Sequence, residues 1–500
     1  MVVTIIKNRE VFLMGKMKKL MALLACTAMV AGSIAGCGSS SDTSAPAPAE
    51  PAVSEPAGES AEAGSEAAQG DSQVVSEESG TLRMYGPGLF AAVGENGTTD
   101  MITGVARPGY SELIKRWNEL YPNVTLEIEP IPWDNWKAAI QTAALSGDYD
   151  ILIHGNGNAD YSLDLTEYLE KDPEVKNALT FYPYRRNPDN MTEVRPYGLS
   201  YTLNPVVCVI DKEILKNYGV ELPDSSWSLE DMTKIAESCT GTDPVTGKET
   251  YGISMVKASD AYKNYILIGR GMDNEIFEFS PKLNETKVNF DTPKTQEVFD
   301  YLAELGKYSS PDYLEGLDLA NAYTEDHNLA MIWAEDVYNV YNTIKAAGLE
   351  DRFMFLPLPK IQEGAHKGIT CSNVGDLNIC IYKDTEQKDL AWKFLKFLVT
   401  DPEVQQWFID TNSIPANVEA GSLLYDVMPA DYADAITEVI STSPEGYNSS
   451  ASVWYDSTWF GTFQSDIVTE FDQLLKGNAT SAEVTKDIQG TVDGYLKSLN

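Results

Sequence analysis

Histidine is almost missing from this chain: its 500 residues include three, His154, His327 and His366. None stands in HExxH or any other paired spacing, so a helix-borne zinc site is excluded. Also missing are a Walker lysine loop, a GxSxG elbow and a GxGxxG following a strand. The usual marks of nucleotide hydrolysis, serine hydrolysis and dinucleotide binding are therefore lacking. No cofactor is indicated, and with no EF-hand-like spacing no metal is called. Bases are scarce too: 37 Lys and Arg face 75 Asp and Glu, a net charge of −38. Such a field repels nucleic acid and anionic lipid head groups, so no nucleic-acid partner is expected. Amid so many acids, a carboxylate pair such as Asp134 with Glu335 or Asp336 arises by chance. It gives only a thin basis for a glycosidase, the enzyme alternative.

Long apolar runs are lacking as well. The exception, 20–34, is shorter than the ~20 residues of a comfortable membrane span. It follows Met17, Lys18 and Lys19 and leads into Ala35, Gly36 and Cys37, the layout of a secretory signal peptide over 1–36. Residues 1–16 are superfluous to that layout, which places the true start at Met17. Ile34-Ala35-Gly36-Cys37 resembles the bacterial lipobox, whose cysteine is lipidated and becomes the mature N-terminus. From 37 to 80 the chain is mostly Ser, Ala, Pro, Gly and Glu, with nine acids and no base. That composition reads as a disordered, self-repelling tether.

Cysteine is sparse. Of six, Cys26 leaves with the signal and Cys37 takes the lipid. Cys208, Cys239, Cys371 and Cys380 show no CxxC and read as buried free thiols, with a disulfide among them left open.

What remains, about 420 residues, suits two domains. Residues 81–85 read as a strand ending at Gly86-Pro87-Gly88, 111–120 as a helix, 124–128 as a strand, 135–145 as a helix stopped by Gly147, and 149–153 as a strand. Strands alternating with helices predict an α/β body whose parallel sheet binds ligands beyond its carboxyl ends. That places Tyr85, Trp133 and the stretch from His154 through Asn156 to Asn158 at a candidate site. Further strands are expected at 205–210 and 376–382, each followed by a helix, and a mainly helical segment from 416 onward.

Aromatics are plentiful: nine Trp and 26 Tyr. Trp133 lies beside Asp134, Trp333 beside Glu335, Asp336 and Tyr338, and Trp454 and Trp459 lie near the C-terminus. Trp next to carboxylate or amide suits a sugar, whose C–H face covers an indole while its hydroxyls bond to the polar groups. Trp136, inside a helix, reads as core.

From about residue 81 onward the chain resembles the extracellular solute-binding lipoproteins of ABC sugar importers, the maltose-binding-protein-like family. The resemblance is carried in order by 114–126 (IKRWNELYPNVTL), 144–152 (ALSGDYDIL), 211–220 (DKEILKNYGV), 227–231 (WSLED), 329–333 (LAMIW), 355–359 (FLPLP) and 391–399 (AWKFLKFLV), which leads into 413–416. Departures lie at Val209-Ile210, where the family has a Tyr-Asn pair, at Glu335 and Val337, and in an enlarged loop over 86–108.

The resemblance implies an α/β, two-lobed periplasmic-binding-protein-like fold (type II). Lobe one would be 81–202 with 375–413 and lobe two 206–372 with 417–500, joined near 201–205, 373–377 and 412–418. It implies no catalysis, a carbohydrate held between the lobes, and delivery to importer permease subunits. The protein would be a monomer on the extracellular face of the cell membrane, touching it through the lipid anchor alone. Carried over by position, the ligand-binding residues are His154, Asn156, Asn158, Trp333, Glu335, Asp336, Tyr338, Trp454 and Trp459, with Tyr85, Trp133 and Asn373 added. A peptide or polyamine ligand stands as the alternative within binding proteins.

Overall fold

The computed structural model describes residues 75–498 apart from 102, 155–158, 180–181, 255–260, 275, 312–321, 323, 335–336, 365 and 443–457. The first half of the described chain comprises β1 (Ser79–Gly86), β2 (Thr98–Thr99), β3 (Ala106–Arg107), α1 (Tyr110–Leu120), β4 (Asn123–Pro130), α2 (Trp136–Ser146) and β5 (Ile151–Ile153). There follow β6 (Tyr184–Asn187), β7 (Asn190–Pro196), β8 (Leu199–Pro205), β9 (Val207–Asp211), α3 (Lys212–Asn217) and α4 (Leu229–Ser238). Small strands β10 (Gly241–Thr242), β11 (Glu249–Thr250), β12 (Phe277–Glu278) and β13 (Lys287–Val288) punctuate a helical stretch with α5 (Ala261–Gly271) and α6 (Pro293–Gly306). The rest is β14 (Met331–Ala334), α7 (Val337–Ala346), β15 (Phe353–Pro357), β16 (Val374–Ile381), α8 (Lys388–Thr400), α9 (Pro402–Asp410), β17 (Ile414–Pro415), α10 (Ala430–Thr442), α11 (Thr458–Leu475) and α12 (Ser481–Ser498).

Two sheets organise these elements into an α/β, two-lobed fold. The larger runs β17-β8-β16-β5-β1-β4, and the smaller β14-β9-β15. In the larger sheet β1 pairs in parallel with β4 and β5, as the strand-helix alternation predicts, whereas β16, β8 and β17 add antiparallel partners. β9 is antiparallel to both its neighbours. The chain passes from β8 to β9, and so from one sheet to the other, across Val206 alone.

The core explains why these residues make these elements. In α1, Leu113 and Trp117 fall on one helical face and are buried, Trp117 completely. Its indole stacks on Tyr121 with centroids 4.0 Å apart and meets Phe394 and Phe397 of α8 edge-on at 5.3 and 5.2 Å. Burying an aromatic of this size contributes a few kcal/mol, on the order of 3. β9 is buried on both faces, which suits its Val-Cys-Val-Ile run. Val207 and Val209 face one hydrophobic cluster, which includes α10; Cys208 and Ile210 face another, formed with α4, α5, α6, α11 and α12. Phe355 of β15 lies flat on Tyr432 of α10, centroids 3.9 Å apart and planes at 5°. All four cysteines, Cys208, Cys239, Cys371 and Cys380, are free and buried. No helix among the described residues is long and apolar enough to cross a membrane.

Candidate functional site

The parallel strands β1, β4 and β5 end side by side. Gly86 closes β1 with φ 147°, and a Cβ there would stand 2.1 Å from the Ile153 carbonyl oxygen. Only glycine lets β1 end so close to β5. The residue after Ile153, His154, has φ 51°, and its N–H donates to the Asn378 carbonyl of β16. β4 ends at Pro130, and the short loop that follows presents Trp133 before α2 begins at Trp136.

Three rings meet there. His154 lies 4.9 Å from Trp133 at 81° and 4.9 Å from Trp136 at 54°, and the two indoles touch edge-on at 5.6 Å. Trp133 is 47% exposed and Trp136 half-buried. The His154 Nδ1 is sealed from solvent and has no hydrogen-bond partner among the described residues. Burial depresses the imidazole to about 4; Asp376 opposes this, while Arg185 and Lys137 reinforce it. The ring is therefore neutral at pH 7, with one nitrogen to donate and one to accept. Asp376 of β16 accepts a 2.6 Å hydrogen bond from Ser200 Oγ of β8. Arg185 is almost fully buried and donates to the Tyr184 carbonyl at 2.8 Å.

The other expected residues fall elsewhere. Tyr85 contacts Tyr149, centroids 4.7 Å apart, within a small cluster beneath α2. The Tyr149 hydroxyl donates to Glu129 at 2.7 Å, a bond that pushes its pKa up to about 12. Beside it a groove of about 510 Å³ is lined by Arg83, Glu127, Ile128, Glu129, Asp148 and Tyr149. Asn373 is buried at the passage between sheets: its side chain accepts from Arg270 Nη1 at 2.8 Å and its carbonyl from Val206 N–H at 2.7 Å. Trp333 is 4% exposed, on the face of β14 that also carries Met331, and its Nε1 has no partner among the described residues. Strand alternation thus turns it into the core, against the expectation of a ring open to the cleft. Tyr338 is 5% exposed in the first turn of α7, and burial pushes its phenol up to about 12. Asn156, Asn158, Glu335, Asp336 and Trp454 lie outside the described residues, as do the side chain of Trp459 and Cys37, the residue expected to carry a lipid.

Trp136 is half-buried and packs against the Ile140, Ala143, Ala144 and Leu152 cluster, as its helical setting suggested, and from the first turn of α2 it also meets His154. Asp376 and Arg185, which act on His154, and Ser200, which bonds to Asp376, were not among the expected residues. The one mark available was a charged residue at the start of an otherwise apolar strand, Asp376.

A family model described as "Bacterial extracellular solute-binding protein" matches residues 104–405, more than half of the chain. The chain belongs to that family. Solute-binding proteins bind and do not catalyse, which favours the non-enzymatic reading over the glycosidase. A curated relative, the arabinooligosaccharide-binding protein of Bacillus subtilis, is 22% identical over 63% of this chain and 73% of its own length. Among solved structures, the sugar-binding protein MalE from Xanthomonas citri superposes with a TM-score of 0.62 at 14% identity, covering 84% of this chain and 98% of its own. An ABC substrate-binding protein from Listeria monocytogenes, in complex with cycloalternan, gives 0.59 at 18% identity, covering 84% of this chain and all of its own. At such identities the solute-binding fold is what these structures share with this chain.

Proposed function

We propose that this chain is a lipid-anchored extracellular substrate-binding protein that takes a carbohydrate into the cleft between its lobes and delivers it to an ABC importer. The observation that carries the reading is the Trp133–His154–Trp136 group at the carboxyl end of β5, beside Asp376. An exposed indole face, a neutral imidazole and a carboxylate suit a ring with an apolar face and a hydroxyl rim. The sugar-binding relatives point the same way. On this reading lobe one comprises 81–202 with 375–413 and lobe two 206–372 with 417–500. Hinge closure buries the sugar, and the permease receives the closed monomer. His154, Trp133 and Trp136 serve lobe one. Glu335, Asp336, Trp454 and Trp459 are the lobe-two candidates, and Cys37 carries the anchor.

A thermal-shift screen over mono- and oligosaccharides, arabino-oligosaccharides included, with amino acids and polyamines alongside, tests the ligand class. A saccharide at 100 times its dissociation constant should add about 2.7 kcal/mol of stability. Stabilisation by a polyamine and by no sugar would overturn the carbohydrate assignment.

A further inference from the structure

The enlarged loop after β1 carries the β2–β3 hairpin, and the hairpin is anchored at both ends. Asp100, 4% exposed, accepts from Thr103 N–H at 2.7 Å and Thr103 Oγ1 at 3.0 Å, and pairs with Arg107. Its other oxygen also accepts from Asn412 Nδ2 at 3.2 Å, just ahead of β17. Asn412 itself is held at φ 61°. Asp100 thus fixes the guanidinium of Arg107 against lobe one.

From that position Arg107 Nη2 reaches across to lobe two and donates to Asn339 Oδ1 at 3.2 Å. Asn339 lies in the first turn of α7, directly after the candidate ligand residues Glu335 and Asp336. A second observation places Arg107 there: together with Asp410 of α9 it lies close enough to the neighbouring Tyr338 phenol to act on its ionisation. A separate contact joins the same lobes far along the chain. The Met191 N–H of β7 donates to the Pro281 carbonyl at 2.9 Å, and the Arg186 guanidinium lies 3.7 Å over the Phe279 ring.

We propose that Arg107 is a closure clasp, a positioning residue preset by Asp100 that closes on Asn339 when the lobes meet. It acts without touching the solute. It biases the open–closed equilibrium toward the closed form and steadies the first turn of α7, next to the ligand segment. The inference rests on the two-lobe assignment of the proposed function, not on the nature of the ligand. A bond present only in the closed form shifts that equilibrium by its own free energy, and the apparent solute affinity shifts with it.

Hydrogen exchange on the full-length protein without ligand tests the clasp. Asn339→Ala removes the acceptor and leaves the Asp100–Arg107–Asn412 anchorage in place. If the clasp holds the lobes together, exchange should rise about fivefold at the Met191 amide, the scale expected for losing one modest hydrogen bond. Arg107→Ala should give the same rise, and the double variant no more. Faster exchange confined to α7 and the β2–β3 hairpin, with Met191 unchanged in Asn339→Ala, would overturn the proposal and leave Arg107 a local brace. A ligand screen in which no sugar binds would overturn the carbohydrate reading and leave the exchange result standing.

Discussion

Trp133 meets His154 edge-on, with ring centroids 4.9 Å apart and planes at 81°. The indole is held against the imidazole while 47% of the residue stays open to solvent, so its orientation is set before a ligand arrives. Trp133→Ala should therefore weaken carbohydrate binding about tenfold or more while moving stability by about 0.5 kcal/mol or less. Calorimetric titration with the saccharide of largest thermal shift, beside a urea melt, separates the two effects. Unchanged affinity would remove Trp133 from the site.

The same pair predicts a pH dependence of folding. His154 titrates near its ordinary value of 6.5 when unfolded and at about 4 in the native site, chiefly through burial. Between those values the unfolded chain binds the extra proton, so stability rises with pH across this window. Acidification from about 6.5 to about 4 should remove up to about 3 kcal/mol, with no further loss from this residue below. Urea melts of wild type and His154→Gln over pH 4–7 check it: the difference in slope should vanish above pH 7.

Much of this was legible beforehand, for identifiable reasons. β1, α1, β4, α2 and β5 follow from period-2 and period-3.6 patterns punctuated by Gly86, Pro122 and Gly147, all local signals, whereas the β2–β3 hairpin lies in what read only as a loop. The parallel pairing of β1 with β4 and β5 followed from their alternation with helices. The antiparallel half of the larger sheet did not, because β16 joins β5 and β8 from far along the chain, Ile379 pairing with Ile153 and Val374 with Pro205. That Trp133 and His154 lie close together was legible because both follow the ends of strands in one parallel sheet. The contact of Trp136 with His154 was not, since helical periodicity marks its packing against Ile140 and Ala144 but says nothing of a ring from another strand end. The burial of Trp333 was not legible, because acidic neighbours in sequence say nothing about which face of a strand a residue takes. Asp376 and Ser200 meet only through the β16–β8 register.

The flat stack of Phe355 on Tyr432 docks α10 onto the smaller sheet. The Tyr432 hydroxyl also donates toward the carbonyls of Glu350 and Phe353 at 3.0 and 3.1 Å. Tyr432→Phe keeps the stack and loses the donor, so it should cost about 1–2 kcal/mol. Tyr432→Ala opens a cavity as well and should cost about 3–5 kcal/mol. Equal losses in the two variants, measured by urea unfolding, would mean that the ring contributes nothing beyond its hydroxyl.

The anchor proposed at Cys37 bears on location and not on recognition. Two acyl chains on the Cys37 sulfur would suffice for stable anchoring, since each buried methylene contributes ~0.8 kcal/mol. On that proposal the acidic segment 38–80 would hold the cleft at high local concentration beside its importer. Cys37→Ala should release the protein from membranes into the medium, read by fractionation, while the saccharide dissociation constant stays within about twofold of wild type. Release accompanied by lost affinity would mean that the tether takes part in binding. Retention on the membrane would mean that something other than Cys37 holds the protein there.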